Sequence, residues 1–260
     1  MQPLAHLDPA VIRGLFFDID DTLTTDGCLT SSAYAALERW KVAGRIAVPV
    51  TGRPAGWCDH IARMWPVDAV VGENGAFYFR YDHARRRLQK RFLDDDATRA
   101  ANRARLAAMR DRILAAVPGA ALASDQQYRE TDLAIDFCED VPPLGLQEAE
   151  RIAALMQAGG MTARISSIHV NGWFGDYDKL GMTKILAREC FDLDLDAARK
   201  QFAFIGDSPN DAPMFAYFPA SVGVANARRY GDLLVAQPAF VTEGESGAGF
   251  VELITRLLEH

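Results

Sequence analysis

Three aspartates, Asp18, Asp20 and Asp21, stand within four residues in "FFDIDDTLTTDG", directly after an apolar run. Carboxylates packed this tightly resist ionising together, so the cluster calls for a cation to neutralise it or a proton to move. A second apolar run ends in acids, "FAFIGDSPND", with Asp207 and Asp211. A third ends in Thr51-Gly52-Arg53. Asp18 and Asp207 are hard oxygen ligands of the kind Mg²⁺ takes. The Thr51 hydroxyl and the Gly52 amide can hold phosphate oxygens, with a lysine as point charge. An aspartate beside a metal-held phosphate is a candidate nucleophile, through an aspartyl-phosphate.

These residues need a frame that brings distant segments together. "VIRGLFF" (11–17), "RIAVPV" (45–50) and "VDAVVG" (67–72) read as buried strands, with helices from Ser31 or Ser32 to Gly44 and over 54–65 between them. Alternating strands and helices predict a parallel sheet covered on both faces. The rhythm resumes near the C-terminus, with helices near 182–190, 210–217, 227–235 and 247–258 and strands at 202–207, 221–225 and 240–242. In such sheets sites form beyond the carboxyl ends of the strands, where Asp18, Thr51 and Asp207 fall.

The middle differs. A hairpin (77–92), a long helix (94–117), an alternating strand (132–137), a helix (145–158) and a strand (161–170) suggest an α+β module with one free sheet face. The expected layout is a core of residues 1–83 and 178–260 with an insertion at 84–177. In "SSIHVNGW", Ser167, His169 and Asn171 alternate on one face and could look into a cleft.

The chain has 260 residues, 49% hydrophobic and 24% charged, with net charge −7. That is ordinary globular composition, and the acidic balance speaks against nucleic-acid or anionic-membrane binding. No apolar run reaches the length of a membrane span. The N-terminus has no basic region or long apolar stretch, and the four scattered cysteines read as reduced thiols, so the expected location is the cytoplasm. Oligomeric state is left open.

Taken in order, "DIDDT", "VPVTGRP", "GMTK" and "GDSPND" resemble the four motifs of the haloacid dehalogenase superfamily of phosphohydrolases. The insertion, with "GENGA" and "VGVANA", is similar to the Cof-type branch, which includes sucrose-phosphate and mannosyl-phosphoglycerate phosphatases and phosphomannomutase. The resemblance covers 11–77 and 179–250. It implies an α/β fold with a Rossmann-like parallel-sheet core and an α+β cap. It also implies Mg²⁺-dependent hydrolysis of a small phosphate ester, a sugar phosphate before others. By motif position, Asp18 becomes the nucleophile and Asp20 the general acid and base, its backbone carbonyl facing the metal. Thr51, Gly52 and Lys184 bind the phosphoryl group, and Asn210 supports the phosphate or Lys184. Asp207 ligates the metal, and Asp211 does so through water or orients its shell. If Lys184 proves dispensable, Lys179 is the next lysine to test. A phosphomutase and a non-enzymatic phospho-aspartate switch are the rival readings.

Each residue also has a plainer reading. Asp18 and Asp20 could form a strand-end turn, Asp21 a solvated one. Thr51 could cap a helix, Asp207 and Asp211 likewise. Lys184 alone is an ordinary surface lysine. Asn74 suits a turn or a substrate contact. His169, Asn171, Arg129 and Arg164 are candidate substrate contacts on the cap.

Overall fold

The computed structural model describes residues 1–259. It opens with β1 (Gln2–Pro3), β2 (Gly14–Phe17), α1 (Ser31–Val42), β3 (Ile46–Pro49) and α2 (Ala55–Met64). β4 (Val70–Gly72), β5 (Phe77–Asp82) and β6 (Arg87–Phe92) form a three-stranded antiparallel sheet, joined to the core by a bridge between Val50 and Val71. Next come α3 (Asp96–Ala116), β7 (Ala121–Leu122), β8 (Leu133–Asp136), α4 (Leu146–Ala158), β9 (Thr162–Ile165) and β10 (His169–Trp173). The chain then returns through α5 (Lys179–Phe191), α6 (Leu195–Ala198), β11 (Phe202–Gly206), α7 (Ala212–Tyr217), β12 (Ala220–Gly223), β13 (Phe240–Val241) and α8 (Ser246–Leu258).

The core sheet runs β1-β13-β12-β11-β2-β3, parallel throughout. Both faces are covered, which is why its central strands read as continuous apolar runs. Leu15 and Phe17 pack toward Leu37, Trp40, Phe250 and Leu253 of α1 and α8. Phe16 and Phe204 pack toward Met182, Leu186, Met214 and Phe215 of α5 and α7. Phe17 lies opposite Ile205 on one side and Pro49 on the other. That register puts Asp18, Asp207 and Thr51 on one rim.

The insertion holds an antiparallel sheet, β7-β8-β10-β9. Leu133, Ile135 and Val170 bury one face against Leu106, Met109 and Ile113 of α3 and Ile152 and Met156 of α4. The alternate residues His169 and Asn171 fall on the other face. β6, on the insertion side of residue 84, pairs along its whole length with β5. The hairpin therefore belongs to the core-side sheet, and the insertion proper starts after Phe92. The strand expected over 161–170 is two strands, because Ser166 turns the chain by accepting from the backbone N–H of His169 at 3.0 Å. The last expected helix before β13 is a 3-10 stretch with Gly231 at φ 49° within it.

Candidate active site

The rim is built of buried acids. Asp18 follows β2, its backbone N–H donating to Ile205 at 2.9 Å. Asp207 follows β11 and is fully buried. Ligand oxygens of Asp18, Asp207 and Asp211 lie within 4.8 Å of one another. Among the described residues, neither carboxylate oxygen of Asp207 has a hydrogen-bond partner. Arg229 Nη2, from an exposed side, approaches its Oδ2 only to 3.6 Å. Burial pushes the Asp18 carboxyl up to about 7 against the pull of Lys179, with Asp211 and Asp20 adding repulsion. Burial, with repulsion from Asp18, Asp211 and Asp21, raises Asp207 well above the usual carboxylate range against the pull of Arg229. Leaving a buried carboxylate ionised and unpaired costs several kcal/mol. An all-oxygen donor set with an orphaned carboxylate fits a hard divalent cation such as Mg²⁺.

Asp211 is already committed. Its Oδ2 accepts the backbone N–H of Asp207 at 3.0 Å and of Ser208 at 3.3 Å. A Cβ at residue 206 would sit 2.2 Å from that oxygen, so only glycine fits there. The other oxygen, Oδ1, takes Lys179 Nζ at 2.7 Å. Asp211 thus shapes the turn and aims a lysine, leaving Asp18 and Asp207 as the open ligands.

That lysine is the main correction to the sequence reading. Lys179 is buried and bridges Asp18 Oδ1 at 2.9 Å and Asp211. Its charge is favoured by both acids, which outweigh burial. Lys184 lies five residues on, about 140° around the helix. It pairs with Asp196 at 2.7 Å on the surface and cannot serve the rim. The cause is the true start of α5. Asp178 caps it, its side chain accepting from Gly181 at 2.8 Å, so the first helical residue is Lys179. Starting the helix at 182 hides this lysine. The packing reinforces the position: Gly75, at φ +106°, lies where a Cβ would meet Asp178 O at 2.0 Å.

Thr51 is fully buried and Gly52 lines the small cavity between rim and cap, with Asp18, Asp20 and Asn210. Thr51 Oγ1 also accepts from the backbone N–H of Arg53 at 3.0 Å, so it caps the turn as well as facing the rim. Asn74 has φ 54° and accepts from Asn210 Nδ2 at 3.2 Å, which ties two rim loops. Asp21, at φ 52°, is a turn residue paired with Arg229 at 3.1 Å.

On the cap side the cavity is lined by Arg129, Ser166, Ile168, His169 and Asn171. The four cap candidates separate here. His169 Nε2 lies 2.9 Å from Glu139, and Asn171 donates to Asp132 at 2.9 Å. Arg129 lines the cavity, but its guanidinium is consumed by Asp125, Asp132 and the Gly52 carbonyl. Arg164 is not brought to the site: it borders an apolar groove against Pro209 and Ala212.

Several charged residues were missed in the sequence. Arg53 donates to Asp20 through Nε at 3.0 Å and Nη2 at 2.8 Å, to Glu139 at 2.6 Å, and lies 4.3 Å over the Trp57 ring. Glu73 is fully buried and accepts from the backbone N–H of Ala55, Glu130 and Thr131 and from the Thr131 hydroxyl. It bolts the insertion to the start of α2. Their signals were adjacent to noted residues, "TGRP" and "GENG", but nothing local names their partners.

The sequence pattern of the haloacid dehalogenase-like hydrolases matches residues 15–106. A phosphoglycolate phosphatase of Haloarcula marismortui is 28% identical over 242 residues, 92% of this chain and 95% of that protein. Among solved structures, a Thermoplasma acidophilum protein superposes with TM-score 0.70 at 19% identity, covering 95% of this chain and 98% of its own. The C-terminal domain of a Candida albicans trehalose-6-phosphate phosphatase gives 0.69 at 13%, covering 99% and 98%. A HAD/COF-like hydrolase from Plasmodium vivax gives 0.68 at 17%, covering 96% of each. These likenesses agree with the covered parallel sheet, the antiparallel insertion and the acids on the rim: the chain is similar to the haloacid dehalogenase-like hydrolases over residues 15–106 and shares the fold of the branch with an inserted α+β cap.

Proposed function

We propose that the protein is a Mg²⁺-dependent phosphohydrolase that works through an aspartyl-phosphate on Asp18. The observation that carries this reading is the pairing of Asp18 with a buried, unpartnered Asp207 beside a buried Lys179. Mg²⁺, held by Asp18 and Asp207 with the Asp20 carbonyl and Asp211 in support, would supply charge and orientation to the phosphoryl oxygens. Lys179, Thr51 and the Gly52 amide hold those oxygens, with Asn210 behind them. Asp18 forms a bond to phosphorus as the ester P–O bond breaks, and Asp20 gives its proton to the departing alkoxide. Asp20 then takes a proton from water, whose oxygen attacks phosphorus and frees Asp18 and phosphate.

A sugar phosphate is the first choice of substrate, supported by hydroxyl-binding groups such as His169 and Asn171 on the cap face. A two-carbon phospho-acid is the second reading. The cavity between rim and cap is small, and the Haloarcula relative is named for phosphoglycolate. Four free cysteines fit a reducing compartment such as the cytoplasm.

The test uses Asp20→Asn with p-nitrophenyl phosphate, whose leaving group needs no protonation. The expected result is a burst of nitrophenol and a phosphorylated Asp18 peptide after acid quench. Steady release with neither overturns the two-step scheme. Stoichiometric free phosphate from the natural ester separates hydrolysis from a mutase.

A further inference from the structure

Asp20 has one source of side-chain hydrogen bonds among the described residues, the Arg53 guanidinium. Its orientation toward the rim is therefore set by Arg53. What sets Arg53 comes mostly from the cap. Glu139 Oε1 takes its Nη2 at 2.6 Å, and Asp125 and the second Glu139 oxygen lie 3.4 and 3.5 Å from Nη1. Besides Asp20 itself, the core contributes the Trp57 ring.

Glu139 is itself firmly placed. Asp136 accepts three successive backbone N–H groups, from Cys138 at 2.9 Å and from Glu139 and Asp140 at 2.8 Å. This fixes the turn that presents Glu139. His169 Nε2 lies 2.9 Å from its Oε2. The chain of contacts runs from a pinned cap turn, through one buried guanidinium, to the residue proposed to move the proton. We infer that Glu139 is a positioning residue for Asp20, acting through Arg53, so that seating the cap on the rim also seats the acid and base. This rests on the proposed role of Asp20. Arg53 is only 3% exposed, and its guanidinium has five donors to satisfy. Without Glu139 it must rearrange, and Asp20 moves with it. A displacement of about 1 Å in such a group costs on the order of a hundredfold.

The test compares glycerol phosphate, a poor leaving group, with p-nitrophenyl phosphate. In Glu139→Ala, kcat for glycerol phosphate should fall about a hundredfold. The p-nitrophenol burst should change by less than about threefold, because that step needs no proton. Glu139→Gln keeps an acceptor for Arg53 and should recover part of the loss. It is also the variant to use if the alanine protein does not fold. In an Asp20→Asn background, Glu139→Ala should cost nothing further on glycerol phosphate, since residues acting as a unit are not additive. Equal losses in glycerol phosphate turnover and in the rate of the p-nitrophenol burst, no loss in either, or additive losses in the double variant would each overturn the assignment. If Asp20→Asn alone spares glycerol phosphate, the proposed role of Asp20 has failed instead.

Discussion

Two clusters of acids lie on the core and cap sides of the site, and their electrostatics run in opposite directions. On the core rim, burial raises Asp18 and Asp207, and Lys179 with the distant Arg229 does not balance them. On the cap, Glu139 is also penalised by burial, yet its contacts with His169 and Arg53 hold it down at about 2. The rim keeps its carboxylates short of positive charge, as a site must if a cation and a phosphoryl group are to complete it. The cap cluster is already neutralised and hydrogen-bonded, so it acts as structure that places other groups. Under the proposed mechanism, the difference separates the half of the cleft that performs the reaction from the half that aligns it.

The largest effect should come from removing the buried lysine that pairs with Asp18. Lys179→Ala should lower kcat/KM by roughly a hundred- to thousandfold, the scale for one preorganised charge-stabilising group. Lys184→Ala, cutting a surface pair worth under about 1 kcal/mol, should leave kcat/KM within about twofold. The reverse ranking in parallel assays would return the role to Lys184 and break the account of the rim.

The metal-free protein gives a second, intermediate contrast. A carboxyl whose folded pKa is raised contributes stability that is fully present at low pH and lost as pH rises through its folded value. For Asp18 that window runs from the ordinary carboxylate range to about 7, and Asp207 acts in the same direction. After EDTA treatment and dialysis, Tm should fall between pH 5 and pH 8. Saturating Mg²⁺ should raise Tm most at the upper end, because it binds the ionised folded form. Asp207→Asn should lose most of that Mg²⁺-induced shift. A Tm of the metal-free protein that climbs steadily to pH 8 would mean the rim acids are not held under strain.

The same division explains what could be read in the sequence. Asp18, Thr51 and Asp207 follow strands of the parallel sheet, and Asp211 sits in the turn after β11. Their placement follows from a local pattern, an apolar run then a polar turn, repeated at these strands. Lys179 was one step harder, because its place depends on where a helix begins. That start is marked by a single residue, Asp178, and the attractive "GMTK" lay one turn and a half beyond it. The cap network was out of reach. Arg53 meets Glu139 across 86 positions, and Glu73 meets Thr131 across 58. Pairings of that span depend on how two sheets are placed, which no short stretch encodes.

The smallest expected effect tests the cap side of the comparison by its sign. Glu139 is lowered, so its contribution to stability is present above its ordinary value of 4.5 and fades as pH falls toward 2. The side chain is about a quarter exposed, so solvent screens the pairing. The effect should therefore stay under about 1 kcal/mol. Urea midpoints of wild type and Glu139→Gln, taken with Mg²⁺ chelated, should differ most near pH 5 and converge toward pH 3. Above pH 5 the gap should stay constant, since Glu139 is ionised in both folded and unfolded chains there. The rim acids change with pH in both proteins and cancel in the difference. A gap that widens as the solution is acidified would show that Glu139 is protonated more readily in the fold than out of it. It would then belong with the strained acids of the rim, and the contrast between the two halves of the cleft would not stand.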